Sequence, residues 1–500
     1  MTDSNIDWIA RSRAMPLTVQ NLVGGDWQPP CPGKAIAKYS PRDGRELYAT
    51  PEADPEAVNR AVASAREAFT DGRWSLMPVA RRKEILRKLA ALLRTQRHEF
   101  ALRESVDVGK PIAESLAFDV DAAAETIEFS AEAADKLYGK LYSVDPSNLS
   151  YQLLRPVGVV GAIVGWNFPL LLAASKIGPA LATGNSVILK PSELTSLSAG
   201  ALGKLALDAG VPPGVLNVVH GGPAVGAALA NHGSVDLLSF TGSTNTGKEI
   251  LIASGRSNMK RLILECGGKA ANIVFDDSPD LEAVADAVVA RAFYNQGEVC
   301  TASSRLLVQE SVKDQVLGFI TRKVAKLGPG DPLLQETEYG ALVSEGHKRK
   351  VQRYIEDGLA QGATMVYQGD AAAPVAGGFY MPPLIFDRVR GHQRVAQEEI
   401  FGPILSVISF RDEEEALRVA NETIYGLSAI VWTKTLGRVH RVTQAMQAGW
   451  MVVNATASPR GGPRMSVLSI GGHKQSGLGL EGGIDGLQQY TSSTAVQWFI

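Results

Sequence analysis

Residues 293–305 read FYNQGEVCTASSR and deliver one thiol, Cys300, at the end of a stretch built from Asn295, Gln296, Gly297 and Glu298. The chain holds only three cysteines, and Cys31 and Cys266 lie far from it in sequence. No CxxC pair or His/Cys spacing makes Cys300 a zinc ligand, so no metal site is expected. Two readings stand: a buried thiol acting as a small hydrophobe, or a nucleophile. Three further stretches bear on the choice. VGWNFP (164–169) holds Trp166 and Asn167 in a loop after an apolar run, LKPSE (189–193) ends another run with Lys190 and Glu193, and LECGGK (264–269) presents Glu265 before a Gly-Gly turn. Singly, Asn167 reads as a turn former, Glu193 as a helix-start carboxylate and Glu265 as a surface charge. Chance does not readily produce all three in this order with Cys300 following.

Two glycine motifs could be mistaken for nucleotide loops. GLGLEG (477–482) matches GxGxxG but follows HKQS rather than a strand, so the context of a dinucleotide fingerprint is missing. GSTNTGKE (242–249) follows the apolar run VDLLSF and opens a helical pattern, yet Glu249 stands where a phosphate loop needs a hydroxyl for magnesium. Its small residues at a strand-to-helix turn still expose backbone N–H groups and a helix N-terminus, which suits a dinucleotide pyrophosphate.

Elements that position these residues follow from periodicity. Asp54-Pro55 reads as a cap with proline at the first helical position, with Val58, Val62, Ala65 and Phe69 on one face over 54–69. Ile85, Leu86, Leu89 and Leu93 give a helix over 81–100. The runs VGVVGAIV, SVILK, VLNVVH and VDLLSF alternate with Ala/Leu-rich segments and predict a parallel sheet covered by helices. A second series begins at ANIVF (271–275), with a helix starting at Ser278-Pro279, and runs through RLLVQ, ILSVISF, SAIVWT and MVVN. Two α/β domains therefore flank Cys300. LYSVDPSNLSYQLL (141–154) and QQYTSSTAVQWFI (488–500) alternate polar and apolar residues and read as strands outside both sheets.

Composition narrows the classes. A 500-residue chain with 45% hydrophobic and 20% charged residues supports several domains with ordinary cores. A net charge of −2 leaves no basic footprint for nucleic acid or an acidic membrane surface. Few cysteines fit a reducing compartment, and MTDSNIDWIARSRAMP lacks the apolar run of a secretory signal, so a soluble, cytoplasmic protein is expected. Residues 156–175 are uncharged but interrupted by Gly158, Gly161, Gly165, Asn167 and Pro169, which gives a strand, a loop and a helix start rather than a membrane span.

From VGGDW (23–27) through WNFP, LKPSE, FTGST, LECGGK, NQGEVC and EEIFGP (398–403) to GGHKQSGLG (471–479), the chain resembles the NAD(P)-dependent aldehyde dehydrogenase family. LECGGK followed by NQGEVC, with Glu265 and Cys300 in those places, carries most of that resemblance. SNMKR (257–261) and IVWTKTL place it nearest the subgroup oxidising amino- or guanidinobutyraldehydes from polyamine breakdown. The resemblance implies an α/β fold with a Rossmann-type cofactor domain of five parallel strands, a catalytic domain and a small bridging sheet that pairs subunits into a homodimer or homotetramer. The expected division is 1–134 and 153–263 for cofactor binding, 264–470 for catalysis, and 135–152 with 487–500 for bridging. It also implies that Cys300 attacks the aldehyde carbonyl, that Asn167 and the Cys300 N–H hold the oxyanion, and that a hemithioacetal yields hydride and a thioester. Glu265 then activates the hydrolytic water, which favours a free acid over transfer to coenzyme A, and Lys176 is a further active-site residue.

On the cofactor side the resemblance assigns Lys190 and Glu193 to the adenosine ribose and Ser243 to a phosphate, with Glu399 and Phe401 at the nicotinamide end. Ile163, Trp166, Gly222, Gly226, Phe240, Gly242 and Thr246 complete the cofactor set. A carboxylate at Glu193 accepts from both ribose hydroxyls and repels a 2′-phosphate, so NAD is expected over NADP. Phe168, Leu172, Ser175, Tyr294, Val299, Thr301, Trp450 and Ile470 are expected to wall the aldehyde tunnel, and the small Ser175 and Thr301 point to few aromatic walls. The chain departs from the family where Ser469-Ile470-Gly471-Gly472 replaces the usual Pro-Phe-Gly-Gly, after an unusually long loop carrying Arg460 and Arg464. Arginines there would disfavour cationic aldehydes. Two rival readings are a cofactor-free cysteine hydrolase using one of seven scattered histidines, and a non-catalytic structural protein of the same fold.

Overall fold

The computed structural model describes residues 6–29, 35–142, 145, 147–455 and 465–499. Cys31, Arg460 and Arg464 lie outside them. Five parallel strands form the first core sheet: β1 (Val159–Ile163), β2 (Ser186–Lys190), β3 (Leu216–Val218), β4 (Leu237–Thr241) and β5 (Arg261–Glu265). Their order is β3-β2-β1-β4-β5. β1 and β2 are buried at every position, as strands covered on both faces must be. The strand order reverses between β1 and β4, and open parallel sheets of this kind bind ligands in the crevice beyond the carboxyl ends of those strands. Those ends lead straight into Trp166-Asn167 after β1, Glu193 after β2 and Gly242-Ser243 after β4.

Three helices border the crevice. Helix α1 (Pro169–Ala182) starts with proline at its first position, α2 is Pro223–Asn231, and α3 (Thr244–Arg256) is capped by Ser243, whose hydroxyl accepts the N–H of Thr246. The second sheet holds six parallel strands: β6 (Ala271–Val274), β7 (Arg305–Gln309), β8 (Leu384–Asp387), β9 (Ile404–Phe410), β10 (Ser428–Trp432) and β11 (Trp450–Val453). They run in the order β8-β9-β7-β6-β10-β11, and an antiparallel strand, Thr364–Gln368, sits beside β8. The link from β5 to β6 carries Glu265 from one sheet to the other, and the segment before β7 carries Cys300.

Sequence expectations are corrected in three places. The helix expected over 81–100 is two, Val79–Thr95 and Arg97–Val108, parted by the non-helical backbone of Gln96. The helix expected from Ser278-Pro279, α4, spans Leu281–Ala292, because the side chain of Asp280 caps it by accepting from the N–H groups of Glu282 and Ala283. Ser278 turns its hydroxyl to the carbonyls of Phe275 and Trp432 instead. The segment expected as strand from 487 begins inside a helix, Gly483–Gln489, and Thr491–Phe499 then pairs antiparallel with Asn148–Pro156, which also pairs with Leu141–Tyr142. Among the described residues no helix is long and apolar enough to cross a membrane.

Candidate active site

The thiol is delivered by a strained turn. Asn295, Gln296 and Gly297 take φ values of 45°, 56° and 73°, three left-handed residues in succession. Each non-glycine residue so placed costs on the order of 1–3 kcal/mol and persists only where its surroundings over-determine it. Gln296 supplies that determination: its Oε1 accepts the Gly340 N–H at 2.7 Å and its Nε2 donates to the Ala341 carbonyl at 3.3 Å. Glu298 adds to it by accepting the Val343 N–H at 3.1 Å. A β-carbon on Gly297 would lie 2.4 Å from the Gly402 carbonyl oxygen, so only glycine fits. A β-carbon on Gly268 would meet the Cys300 carbonyl oxygen at the same distance. The Gly-Gly turn after Glu265 is thus packed backbone to backbone against the cysteine loop.

The other expected residues reach this point from different elements. Asn167 is buried, and its Nδ2 donates to the Glu298 carbonyl at 2.9 Å, which leaves its second amide hydrogen free of that bond. Asn295 Nδ2 in turn donates to the Asn167 carbonyl at 3.3 Å. Lys176, on α1, is fully buried, and its Nζ sits 3.2 and 3.3 Å from the two carboxylate oxygens of Glu481. Glu481, the fifth residue of GLGLEG, carries no sequence signal of its own, because nothing near it in the chain points to Lys176. Gly477 lets that segment run against β5, where a β-carbon would lie 2.5 Å from the Leu264 carbonyl oxygen. A reciprocal pair of backbone bonds to Ile470 then fixes Glu481. The glycines thus position a carboxylate rather than a cofactor.

A cleft of about 830 Å³ opens at the sheet's switch point, and Cys300, Asn167, Phe168 and Leu172 line one end of it. Along it lie Ile163, Trp166, Lys190, Glu193, Gly226, Phe240, Gly242, Ser243, Thr246, Glu399 and Phe401. Gly222, expected among them, starts α2 without lining the cleft. The wall suits an extended dinucleotide: small residues at the start of α3 for phosphate, Glu193 beside Lys190 (3.9 Å) for a ribose, and apolar Ile163, Phe240 and Phe401 for rings. Thr241, which lines the same cleft, holds a buried hydroxyl without a hydrogen-bond partner. His347 and Lys350 also line it and carry no sequence signal beyond the helix cap Ser344. His347 lies at 2.6 Å from the carbonyl of Phe401, a residue held at φ 60°, and its ring meets Trp166 edge-on.

The aldehyde dehydrogenase family model matches residues 27–496. The chain belongs to the aldehyde dehydrogenase family. It is 42% identical over 484 residues to the NADP/NAD-dependent aldehyde dehydrogenase PuuC of Escherichia coli, covering 96% of each chain. It is 41% identical to the aminoacetaldehyde dehydrogenase of Pseudomonas aeruginosa, covering 95% of this chain and 94% of the relative. The crystal structure of the aldehyde dehydrogenase KauB from Pseudomonas aeruginosa superposes with a TM-score of 0.96 at 45% identity, covering 99% of each chain.

In this dehydrogenase the buried carboxyls set the electrostatics. Burial pushes Glu265 well above the ordinary carboxylate range; Glu481 adds to the rise and Lys176 opposes it. Its Oε1 is buried without a hydrogen-bond partner. Burial likewise lifts Glu399 to about 7, against a 2.9 Å bond from the Gly268 N–H. The Cys300 thiol is pushed up to about 12 by burial, then by Glu399 and Glu265. A base acts when deprotonated, so Glu265 in its expected role as base, raised in this way, is expected to make turnover climb with pH. Lys176→Met removes the group that lowers Glu265 and is expected to move that rising limb to higher pH; Glu481→Gln removes the neighbour that raises it and is expected to move the limb to lower pH. Stopped-time assays of kcat from pH 6 to 10 check both, and shifts in the same direction would refute the triad's electrostatics.

An aromatic cluster stands beside the Asn167 loop. Phe118, Phe168 and Tyr294 form a cluster of three rings, Phe168 near-parallel to Tyr294 at 6.2 Å and Phe118 edge-on to both at 6.3 and 6.4 Å. Of these three rings, Phe168 lines the cleft. Phe118 was missed because it stands on a π-helical turn, Ser115–Asp119, which apolar periodicity does not reveal. Ser175, Tyr294, Val299, Thr301, Trp450 and Ile470 are not among the residues lining this cleft: Ser175 bonds back to the Leu172 carbonyl, Tyr294 stacks on Phe168, Trp450 begins β11, and Ile470 holds Glu481.

Proposed function

We propose that this aldehyde dehydrogenase oxidises an aldehyde to the free carboxylic acid with NAD, through a thioester on Cys300. The observation that carries this reading is the seating of Cys300 and Asn167 at one end of the switch-point cleft, with Glu265 held against the cysteine loop through Gly268. Cys300 adds its sulfur to the carbonyl carbon, and the oxygen becomes an oxyanion taken by the free Asn167 N–H and the Cys300 backbone N–H. The burial-raised thiol makes proton removal part of this step. NAD, when bound, would supply the acceptor for the hydride that leaves the carbonyl carbon, held by Lys190, Glu193, Ser243, Glu399 and Phe401 along the cleft. Glu265 then takes a proton from water, the water oxygen bonds to the acyl carbon, and the carbon–sulfur bond breaks to return the thiolate. Lys176 and Glu481 set the basicity of Glu265 and offer its proton an exit.

NAD is preferred over NADP, a reading supported by the Glu193 carboxylate in the cleft wall beside Lys190, which would accept from ribose hydroxyls and repel a 2′-phosphate. The substrate lies among polyamine-derived amino-aldehydes and related semialdehydes, a reading supported by the 41% identity to the gamma-glutamyl-gamma-aminobutyraldehyde dehydrogenase of Burkholderia cenocepacia. The protein works in the cytoplasm as a homo-oligomer. Exposed Leu141, Trp498 and Phe499 on the three-stranded sheet support assembly there. The test is nicotinamide absorbance with NAD and 4-aminobutyraldehyde, succinate semialdehyde and a neutral aldehyde of similar length, with and without coenzyme A. One acid per NADH without need of coenzyme A is expected. A coenzyme A thioester product, or aldehyde-independent hydrolysis without NAD, would overturn the reading.

A further inference from the structure

The ring cluster beside Asn167 rests on a buried ion pair. Lys110 is 1% exposed, and its Nζ lies 2.8 Å from Asp119 Oδ2, a residue with no exposure. The same ammonium stands 3.9 Å from the centroid of Phe168, over the ring face. Phe168 is the next residue after the oxyanion donor, lines the cleft with Cys300, and stacks near-parallel to Tyr294. Phe118 and Asp119 are neighbours on the π-helical turn, so one irregular turn supplies both a ring of the cluster and the counter-ion beneath it. Glu104, the other carboxyl in this buried group, is pushed up to about 8 by burial and by Asp119. It caps α1 by accepting the Leu170 N–H and also accepts from Ser198.

A ring attracts a cation through its negative face. On Phe168 that attraction is already taken by Lys110, whose charge also repels a second cation across the ring. The carboxylates that line the cleft are Glu193, Glu249 and Glu399, none of them in the ring cluster. A cationic centre next to the aldehyde carbon would therefore meet the wall without an open π-face or a counter-ion.

We propose that Lys110, acting as a positioning residue through Phe168, makes this wall select aldehydes whose tail is uncharged beside the reacting carbon. Apolar or flat tails qualify, and so do amino-aldehydes whose charge lies several methylenes away. This rests on the reading of the protein as an aldehyde oxidiser and narrows its substrate class. The test compares kcat/KM for betaine aldehyde, with a fixed cation beside the aldehyde carbon, and its neutral isostere 3,3-dimethylbutanal, with propanal as the tail-less control. Wild type is expected to favour the neutral isostere by at least about tenfold. Lys110→Met is expected to narrow that ratio by about fivefold or more, and Lys110→Arg to keep it. A merely structural lysine would change both substrates alike. Should Lys110→Met not fold, Phe118→Leu serves: its phenylacetaldehyde-to-propanal ratio is expected to fall about fivefold or more. Equal use of the isosteres by wild type, or an unmoved ratio in a folded Lys110→Met or Phe118→Leu protein, overturns the proposal. Failure to oxidise propanal with NAD would instead overturn the underlying activity.

Discussion

Cys300→Ala is expected to abolish aldehyde oxidation while NAD still binds close to wild type. In the proposed reaction the thiol meets the substrate carbon, whereas Lys190, Glu193 and Ser243, which line the same cleft, hold the cofactor. Removing a covalent nucleophile costs on the order of 10⁴-fold or more in turnover. The turn that carries the residue is held by Gln296 and Glu298 rather than by the sulfur, so the loop stays in place without it. Steady-state NADH formation checks the first half and titration of NAD fluorescence quenching the second. Retained turnover above about a hundredth of wild type would rule out covalent catalysis, given the usual size of that loss.

Glu265→Gln is expected to separate the two half-reactions. Formation of the thioester and one equivalent of NADH continues, because Asn167 and the Cys300 backbone still hold the oxyanion, and deacylation stalls for lack of a base. The steady rate falls on the order of 10²–10⁴-fold, the usual contribution of a general base. Stopped-flow traces would show a burst followed by a very slow phase. The raised thiol gives the experiment a second edge: loss of the burst itself would assign Glu265 to activating Cys300.

What the sequence disclosed, and what it withheld, follows from how each residue is held. Parallel strands are buried on both faces, so VGVVGAIV and SVILK announce themselves as apolar runs, and their ends mark where a switch-point site lies. Asn167, Glu193 and Ser243 follow such ends, and the structure brings them into one cleft with Cys300, which lies in the turn before β7. Glu481 was not legible, because its place beside Lys176 depends on a contact 305 residues apart in the chain. Phe118 and the Lys110–Asp119 pair were hidden by a π-turn, whose spacing matches neither helix nor strand periodicity. Expected wall residues such as Tyr294, Trp450 and Ile470 lie outside the lining of that cleft, and resemblance, which aligns positions, does not say which way a side chain turns. Even the misleading GLGLEG owes its glycines to close passage along β5 rather than to a phosphate.

The central claim is that acyl transfer passes through the Cys300 sulfur and is released by Glu265. Its most direct test is peptide mapping by mass spectrometry of Glu265→Gln protein quenched in acid after mixing with NAD and aldehyde. The predicted result is a near-stoichiometric acyl mass on the peptide carrying Cys300, absent without NAD and absent in the Cys300→Ala background. NADH formed with no acyl group on that peptide, or an acyl group on another residue, would contradict the account.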